Sequence, residues 1–419
     1  PEPTKNVSPL SSVAPPRSLQ GASLPRGAGS PLTLLPGATL GVLGGGQLGR
    51  FFVQSAQRLG YRTVVYDPDP ASPAGSVAHL HISAAFDDLD ALDRMAALCD
   101  AVTLEFENVP AAAVERLAGT RPVSPSAAAL ATCQDRLREK RHFAACNVPC
   151  APHAAVEQDA DLAAVPDRLL PGILKTARMG YDGKGQRSVA TRAELAEAWL
   201  ALGRVPCVLE QRLPLAAEAS VVVARGADGA IVHLPVMRNR HRDGILASTE
   251  VPAHPGLPAD VCAQAIGAAE RVAASLDYVG VLCVEFFLLA DGRLVANEMA
   301  PRPHNSGHFS VDACDGSQFD LQVRALAGLP LAAPRLLAPS VMLNLLGELW
   351  LDGAADGAVR EPDWPGVLAL PGVALQLYGK AEPRAGRKMG HLTVTAPSLA
   401  EARAVAAQAA ARLKLAFDD

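Results

Sequence analysis

The sequence predicts an α/β protein of more than one domain, on three observations. A short apolar strand, a glycine-rich turn and a helical run open the ordered chain, two β-rich runs meet at an Asp-Gly dipeptide further on, and strand-like flanks enclose a basic segment near the end. A length of 419 residues is enough for two or three domains with sizeable cores.

Composition narrows the partners before any motif is read. A formal net charge of -5, from 38 Lys and Arg against 43 Asp and Glu, gives no cationic field for a polyanion, so no nucleic-acid partner is expected. The eight cysteines contain no Cys-x-x-Cys pair, the nearest spacing being Cys146 to Cys150, which argues against a disulfide framework and a structural zinc site. No apolar run approaches the ~18 residues of a spanning helix, and no charged-then-apolar leader opens the sequence. The expectation is a reduced, soluble, cytoplasmic protein with no membrane partner. Residues 1–37 are rich in Pro, Ser and Gly and are read as a disordered tail, unable to bury enough surface to offset ordering entropy.

Order is expected from Ala38 to Leu43, a buried strand, followed by Gly44-Gly45-Gly46-Gln47-Leu48-Gly49-Arg50, a helix through Leu59-Gly60, and a second strand, Val64 to Tyr66, ending at Asp67. Strand, GxGxxG, helix and strand with an acid about 20 residues on match the dinucleotide fingerprint. Any first crossover of this Rossmann-like kind needs a glycine turn, however, and its helix N-terminus can hold some other phosphate. Ala101 to Asn108 reads as a further strand with polar residues at its C-terminal end, where ligands sit in an open α/β sheet, so Glu105 is a candidate contact.

A second unit begins near Arg136, with a helix from Leu137 to Cys146 and a strand Gly172 to Lys175. The segment Gly180-Tyr181-Asp182-Gly183-Lys184-Gly185-Gln186 follows, and such a glycine-rich loop can fold backbone N–H groups over phosphates while Lys175 adds a point charge. It is not a Walker A loop, because no Gly-Lys-Ser/Thr triplet opens a helix. Cys207 to Leu213 reads as a strand ending in polar residues, Glu218 precedes the strand Ala219 to Val223, and Asp228-Gly229 turns that strand into a hairpin. His241 falls in the polar segment Arg238 to Gly244.

The Asp291-Gly292 hairpin is the most informative stretch. With those two residues as the turn, Leu289 faces Leu294 and Glu285 lies opposite Glu298. Like charges directly opposed across strands are destabilising unless something positive lies between them. A Mg²⁺ ion held by one or two carboxylates and substrate phosphates suits that gap.

In this order the motifs resemble the ATP-grasp fold: a strand lysine, a glycine-rich loop, Glu210-Gln211-Arg212-Leu213, a downstream Glu218 and a hairpin of paired acids. With Asn297-Glu298-Met299-Ala300-Pro301-Arg302-Pro303-His304-Asn305, the front glycines and Gly386-Arg387-Lys388-Met389-Gly390-His391, the chain is similar to the 5-(carboxyamino)imidazole ribonucleotide synthase family from about Leu40 to His391. The resemblance implies a Rossmann-like parallel-sheet domain over 38–135, an ATP-grasp domain over 136–335 and a small β-rich domain over 336–419. It implies ATP, Mg²⁺, bicarbonate and 5-aminoimidazole ribonucleotide as ligands, a reaction through carboxyphosphate in purine biosynthesis, and a homodimer.

Site residues follow from the same resemblance. Glu285 and Glu298 would hold Mg²⁺; Arg136, Lys175 and the loop Gly180 to Gln186 would contact the phosphates. Glu210 to Leu213 would line the adenine edge, Glu218 would accept from the ribose hydroxyls, and His241 and Asn297 would complete the nucleotide contacts. Arg302, His304 and Asn305 would hold bicarbonate, since oriented cations and N–H groups stabilise an anionic acyl phosphate. Tyr181 and Asp182 would close over the site, with Asp182 orienting or deprotonating the amine. Gly46, Gln47, Leu48 and Glu105 would meet the ribonucleotide, and Lys380 and Arg387 would clamp its phosphate by charge-assisted bonds. The alternatives are another ATP-grasp carboxylate-amine ligase, a non-catalytic ATP-binding paralogue and a nicotinamide-dependent oxidoreductase. The paired acids and Lys175 disfavour a paralogue without activity, and the later motifs supply no redox site.

Overall fold

The computed structural model describes residues 33–180, 185–351 and 359–417. Three sheets organise it. The first is parallel and five-stranded, in the order Leu80–Ile82, Arg62–Tyr66, Thr39–Leu43, Ala101–Leu104, Val123–Ser124. The second is antiparallel and four-stranded, in the order His153–Val156, Cys207–Gln211, Gly172–Thr176, Gln186–Val189. The third runs from Leu294–Ala300 through Gly280–Leu289, Leu215–Arg225, Met237–Arg242 and Ile245–Val251 to Ser340–Leu346, Lys388–Thr395 and Val373–Leu377, with Ile231–His233 added beside Leu215–Arg225. The C-terminal strands therefore extend the central sheet, since Ser340–Leu346 pairs directly with Ile245–Val251.

Burial explains why the central strands read as unbroken apolar runs. Val221, Val223, Leu282 and Val284 face the helix Ala259–Ser275, against Ala265, Ala269 and Val272. Val222, Ala224, Val281 and Cys283 face the other way, against Phe309 and Leu321. A strand covered on both faces has no polar side to alternate with. Glu285, two residues beyond Cys283, shares that second face.

Several elements differ from the sequence reading, each for a local reason. The central hairpin turns through three residues, Ala290, Asp291 and Gly292: the Leu289 N–H donates to the Arg293 carbonyl and Leu288 pairs with Leu294. Gly292 has φ +85°, the left-handed position that closes a three-residue loop. That shifts the register by one, and an irregularity between Glu285 and Phe286 shifts it back, so Glu285 still faces Glu298. Met237–Arg242 is a strand where a polar segment was expected; Arg238, Asn239, Arg240 and His241 carry no apolar alternation, and pairing on both sides holds them extended. Glu218 lies inside the Leu215–Arg225 strand instead of preceding it. Residues 33–37, assigned to the tail, pack on the body: the Leu34 N–H donates to Ala327 O at 2.8 Å and the Tyr61 hydroxyl donates to Leu34 O at 2.7 Å. Residues 1–32 lie outside the described residues.

The strand Ala101–Leu104 stops short of the expected Asn108 because Glu105 turns its carboxylate onto the glycine turn. Its two oxygens accept from Gly46 N–H at 2.6 Å and Gly49 N–H at 2.9 Å, at the start of the helix Gln47–Arg58. Asp67 likewise accepts from Gly45 N–H at 2.7 Å. The turn needs glycine for this approach. A Cβ on Gly44, which has φ +102°, would lie 2.3 Å from Glu105 Cγ. Gly44→Ala is expected to destabilise the protein by about 1–3 kcal/mol, the usual cost of such strain, read as a lower midpoint in urea denaturation.

Candidate active site

The hairpin acids sit where the third sheet meets the helix Arg136–Ala145. Glu298 accepts from Arg136 Nη1 at 2.9 Å, and Glu285 faces His304 Nε2 at 3.2 Å. His304 Nδ1 accepts from Ser306, so the Nε2 hydrogen points at Glu285. Burial pushes the His304 ring down to about 3, helped by the cations of Arg302 and Lys388, so this contact is a neutral hydrogen bond. Burial and the facing Glu298 raise the Glu285 carboxyl. For Glu298 burial is outweighed by Arg136 and Lys175, and the carboxyl falls below its ordinary value. A buried carboxylate pushed upward by a second one 13 residues along the chain marks a position short of positive charge. Among the described residues no group of three or more His, Cys, Asp and Glu could hold a metal alone. Two carboxylates fit a Mg²⁺ ion that takes its remaining oxygens from phosphates and water.

Lys175 and Glu210, on neighbouring strands of the four-stranded sheet, form an ion pair at 2.8 Å. A residue the sequence reading missed completes it: Lys140 lies 2.7 Å from the other Glu210 oxygen, with its side chain 1% exposed. Its signal was present in the four-residue spacing from Arg136, which sets both on one helix face. The Gln211 and Arg212 N–H groups are spent on the Pro152 and Pro171 carbonyls. As the Glu210 side chain is engaged by two lysines, it is not available for the adenine contact expected of this segment, for which its carbonyls and Leu213 are left. His241 Nδ1 meets the Glu218 carboxylate, and Asn297 Oδ1 is buried without a hydrogen-bond partner among the described residues.

A cleft of about 670 Å³ gathers the paired acids with other parts of the predicted site, whereas Lys175, Glu210 to Leu213, Glu218, His241 and Asn297 do not line it. Arg136, Glu285, Glu298, Arg302, His304 and Asn305 line one part of it. Both side-chain polar atoms of Asn305 are buried without partners among the described residues, where such groups ordinarily have one. Gln47, Leu48 and Glu105 approach from the parallel sheet, while Gly46 stays behind them, its N–H taken by Glu105. Lys380 and Arg387 approach from the C-terminal strands, anchored by Lys388 O at 2.7 Å and Glu382 O at 2.6 Å. Gly180 also lines the cleft, Gly185 accepts from Thr176 N–H, and Gln186 pairs with Lys175 in the sheet. Tyr181, Asp182, Gly183 and Lys184 lie outside the described residues. Glu107 was also missed: it grips Arg302, and although burial would raise its carboxyl, the guanidinium brings it down to about 2.

Three family models match the chain: a ribonucleotide synthetase preATP-grasp domain over residues 37–134, an ATP-grasp domain over 141–319 and a phosphoribosylaminoimidazole carboxylase C-terminal domain over 340–405. With the sheets and the paired acids, they define an ATP-grasp ligase. The N5-carboxyaminoimidazole ribonucleotide synthase of Brucella melitensis is 42% identical over 368 residues, 87% of this chain and 98% of that protein. The solved N5-carboxyaminoimidazole synthetase from Staphylococcus aureus, complexed with ADP, matches with a TM-score of 0.82 at 37% identity, covering 91% of this chain and 98% of that one. The Aspergillus clavatus enzyme, in complex with ADP and 5-aminoimidazole ribonucleotide, gives 0.81 at 33% identity, with 90% and 98% covered. The chain belongs to the N5-carboxyaminoimidazole ribonucleotide synthase family.

The lysine pair yields a test. Burial alone would raise Glu210, but Lys175 and Lys140 bring it to about 2. A folded value below the ordinary one means that its stabilisation is complete above about pH 4.5 and is lost as the pH falls toward 2. Glu210→Gln leaves two buried ammonium groups facing each other and is expected to cost about 3–5 kcal/mol near neutrality. In urea denaturation the gap from wild type should narrow as the pH drops below 4.5; a constant gap would show that the carboxylate charge is not what matters.

Proposed function

We propose that the chain uses ATP to carboxylate the exocyclic amine of 5-aminoimidazole ribonucleotide with bicarbonate, giving the N5-carboxyamino product, ADP and phosphate. The observation that carries this reading is the cleft itself, which gathers the paired acids, Arg302 and Asn305, the Gln47–Leu48 helix start and two anchored cations in one space. The ADP and ribonucleotide in the Aspergillus clavatus relative support the same pair of ligands here.

Each residue then has a task. Lys175, Arg136 and the loop Gly180 to Gln186 bind the ATP phosphates, and carbonyls of the Glu210–Leu213 segment with Leu213 border the adenine. Glu218 accepts from the ribose, and His241 and Asn297 complete the nucleotide contacts. Glu285 and Glu298 would hold Mg²⁺, which would neutralise negative charge on the phosphates during transfer. Bicarbonate oxygen attacks the γ-phosphorus and ADP leaves, giving carboxyphosphate. Arg302, His304 and Asn305 hold that anion by oriented N–H groups. Carboxyphosphate releases phosphate and CO₂, the amine attacks the carbon, and Asp182 orients the amine or takes its proton. Tyr181 and Asp182 exclude water that would hydrolyse the acyl phosphate. Lys380 and Arg387 clamp the ribonucleotide phosphate, beside Gly46, Gln47, Leu48 and Glu105. A homodimer is proposed on the family resemblance, and a cytoplasmic setting is supported by eight free cysteines among the described residues.

A nicotinamide reading is disfavoured by one contact. The helix N-terminus that a pyrophosphate would need is occupied by the Glu105 carboxylate. ADP release dependent on both bicarbonate and the ribonucleotide, without NADH binding, is the deciding measurement.

Two variants test the assignments. Glu298→Gln preserves shape and is expected to remove most ATP turnover at ordinary Mg²⁺, while thermal stability stays near wild type; undiminished turnover would sink the metal site. Arg387→Ala is expected to raise the KM for the ribonucleotide roughly ten- to a hundred-fold, the worth of one charged contact, with the KM for ATP nearly unchanged. An equal loss for both substrates would move the phosphate site elsewhere.

A further inference from the structure

A cleft proposed to bind three anionic substrates has an acid beside the arginine meant for the smallest of them. Glu107 lies in the segment after the strand Ala101–Leu104, and Arg302 follows the strand Leu294–Ala300, 195 residues away in sequence. Glu107 Oε2 accepts from Arg302 Nε, and Oε1 accepts from Nη2 at 3.1 Å. Arg302 Nη1 donates to the Pro303 carbonyl at 3.2 Å. Glu107 is itself held, because Gln134 Nε2 donates to its backbone carbonyl at 2.7 Å and to that of Val109 at 2.8 Å. Coulomb repulsion from Glu107 would weaken anion binding, so its presence calls for a compensating role.

The geometry supplies one. A guanidinium has five N–H groups in a fixed plane. Among the described residues three are used, the Nε hydrogen and one on each terminal nitrogen. One hydrogen remains on each terminal nitrogen, and two such hydrogens match the two oxygens of a carboxylate-like anion. Arg302 lines the cleft beside Asn305, whose amide atoms have no partner among the described residues.

We infer that Glu107 is a positioning residue for bicarbonate: by gripping one edge of Arg302 it turns the remaining N–H pair toward the anion, and it does not touch substrate. The inference rests on the proposed function and assigns the bicarbonate site a partner from the parallel-sheet segment. An unpaired Arg302 would have several rotamers, and misplacement of a binding group by about 1 Å can cost up to about a hundred-fold.

The test is steady-state ADP formation by the full chain with each substrate varied in turn. Glu107→Gln is expected to raise the KM for bicarbonate roughly ten-fold or more while the KM for ATP stays within about two-fold. In an Arg302→Ala background the same substitution should add little, since a residue that acts through Arg302 has nothing left to act on. Glu107→Asp, which keeps the charge, should restore part of the loss and serves if the Gln variant folds poorly. An unchanged or lower KM for bicarbonate in Glu107→Gln would overturn the inference, the lower value marking Glu107 as a competitor for Arg302. Equal losses for ATP and bicarbonate, or full additivity with Arg302→Ala, would overturn it too. If the wild type releases no ADP in response to bicarbonate, the functional reading fails first and this role fails with it.

Discussion

Glu285 and Glu298 face one another across two antiparallel strands, and most of the polar structure nearby answers that opposition. Two like charges a few ångströms apart in a partly buried setting repel by several kcal/mol. The chain offsets this unevenly. Arg136 pairs with Glu298, whereas Glu285 meets the neutral N–H of His304 and feels His241 and Lys388 through their charge. The cations beside Glu298 thus hold its carboxyl low, while burial and the facing carboxylate push that of Glu285 up. A site balanced in this way gains most when a divalent ion arrives with its own anionic ligands.

The parallel sheet shows how a motif can keep its shape and change its chemistry. The glycine turn, the helix and the acid after the second strand are those of a dinucleotide site, yet both anion positions are filled from inside the chain. Glu105 takes the Gly46 and Gly49 N–H groups, and Asp67 takes that of Gly45. The fingerprint specifies a backbone geometry, and the backbone accepts a carboxylate as readily as a phosphate. Burial raises Glu105, and its two N–H bonds and the charge of Lys380 act against that rise. Through that charge the turn is coupled to the C-terminal strands.

Those features were legible in the sequence to different depths, for physical reasons. Strands with both faces buried announce themselves by composition, and Gly280–Leu289 and Thr39–Leu43 were found that way. Met237–Arg242 was not, because pairing holds it extended and its side chains are polar on both faces. The opposition of Glu285 and Glu298 was read from the turn, although the turn itself was misjudged; the three-residue loop and the later irregularity shift the register in opposite senses. Lys140 and Glu107 were missed because each draws its meaning from a partner far along the chain, Glu210 in one case and Arg302 in the other. Local spacing can put two residues on one face of a helix, but it cannot say which distant side chain will face them.

The missed residues share one further property. Both stand behind a group expected to touch substrate: Lys140 shares with Lys175 the carboxylate of Glu210, and Glu107 holds Arg302. Long cationic side chains lose about 2 kcal/mol of rotamer freedom when fixed, and a ligand that must fix them itself binds more weakly by that amount. A counter-ion within the fold meets the cost in advance, at the expense of some attraction for the anion. Where the substrate is as small as bicarbonate, few contacts are available to order a side chain, so orientation outweighs the charge that is lost. The acid beside Arg302 is then consistent with an anion site, and the segment that supplies it ties the parallel sheet to the chemistry of the central one.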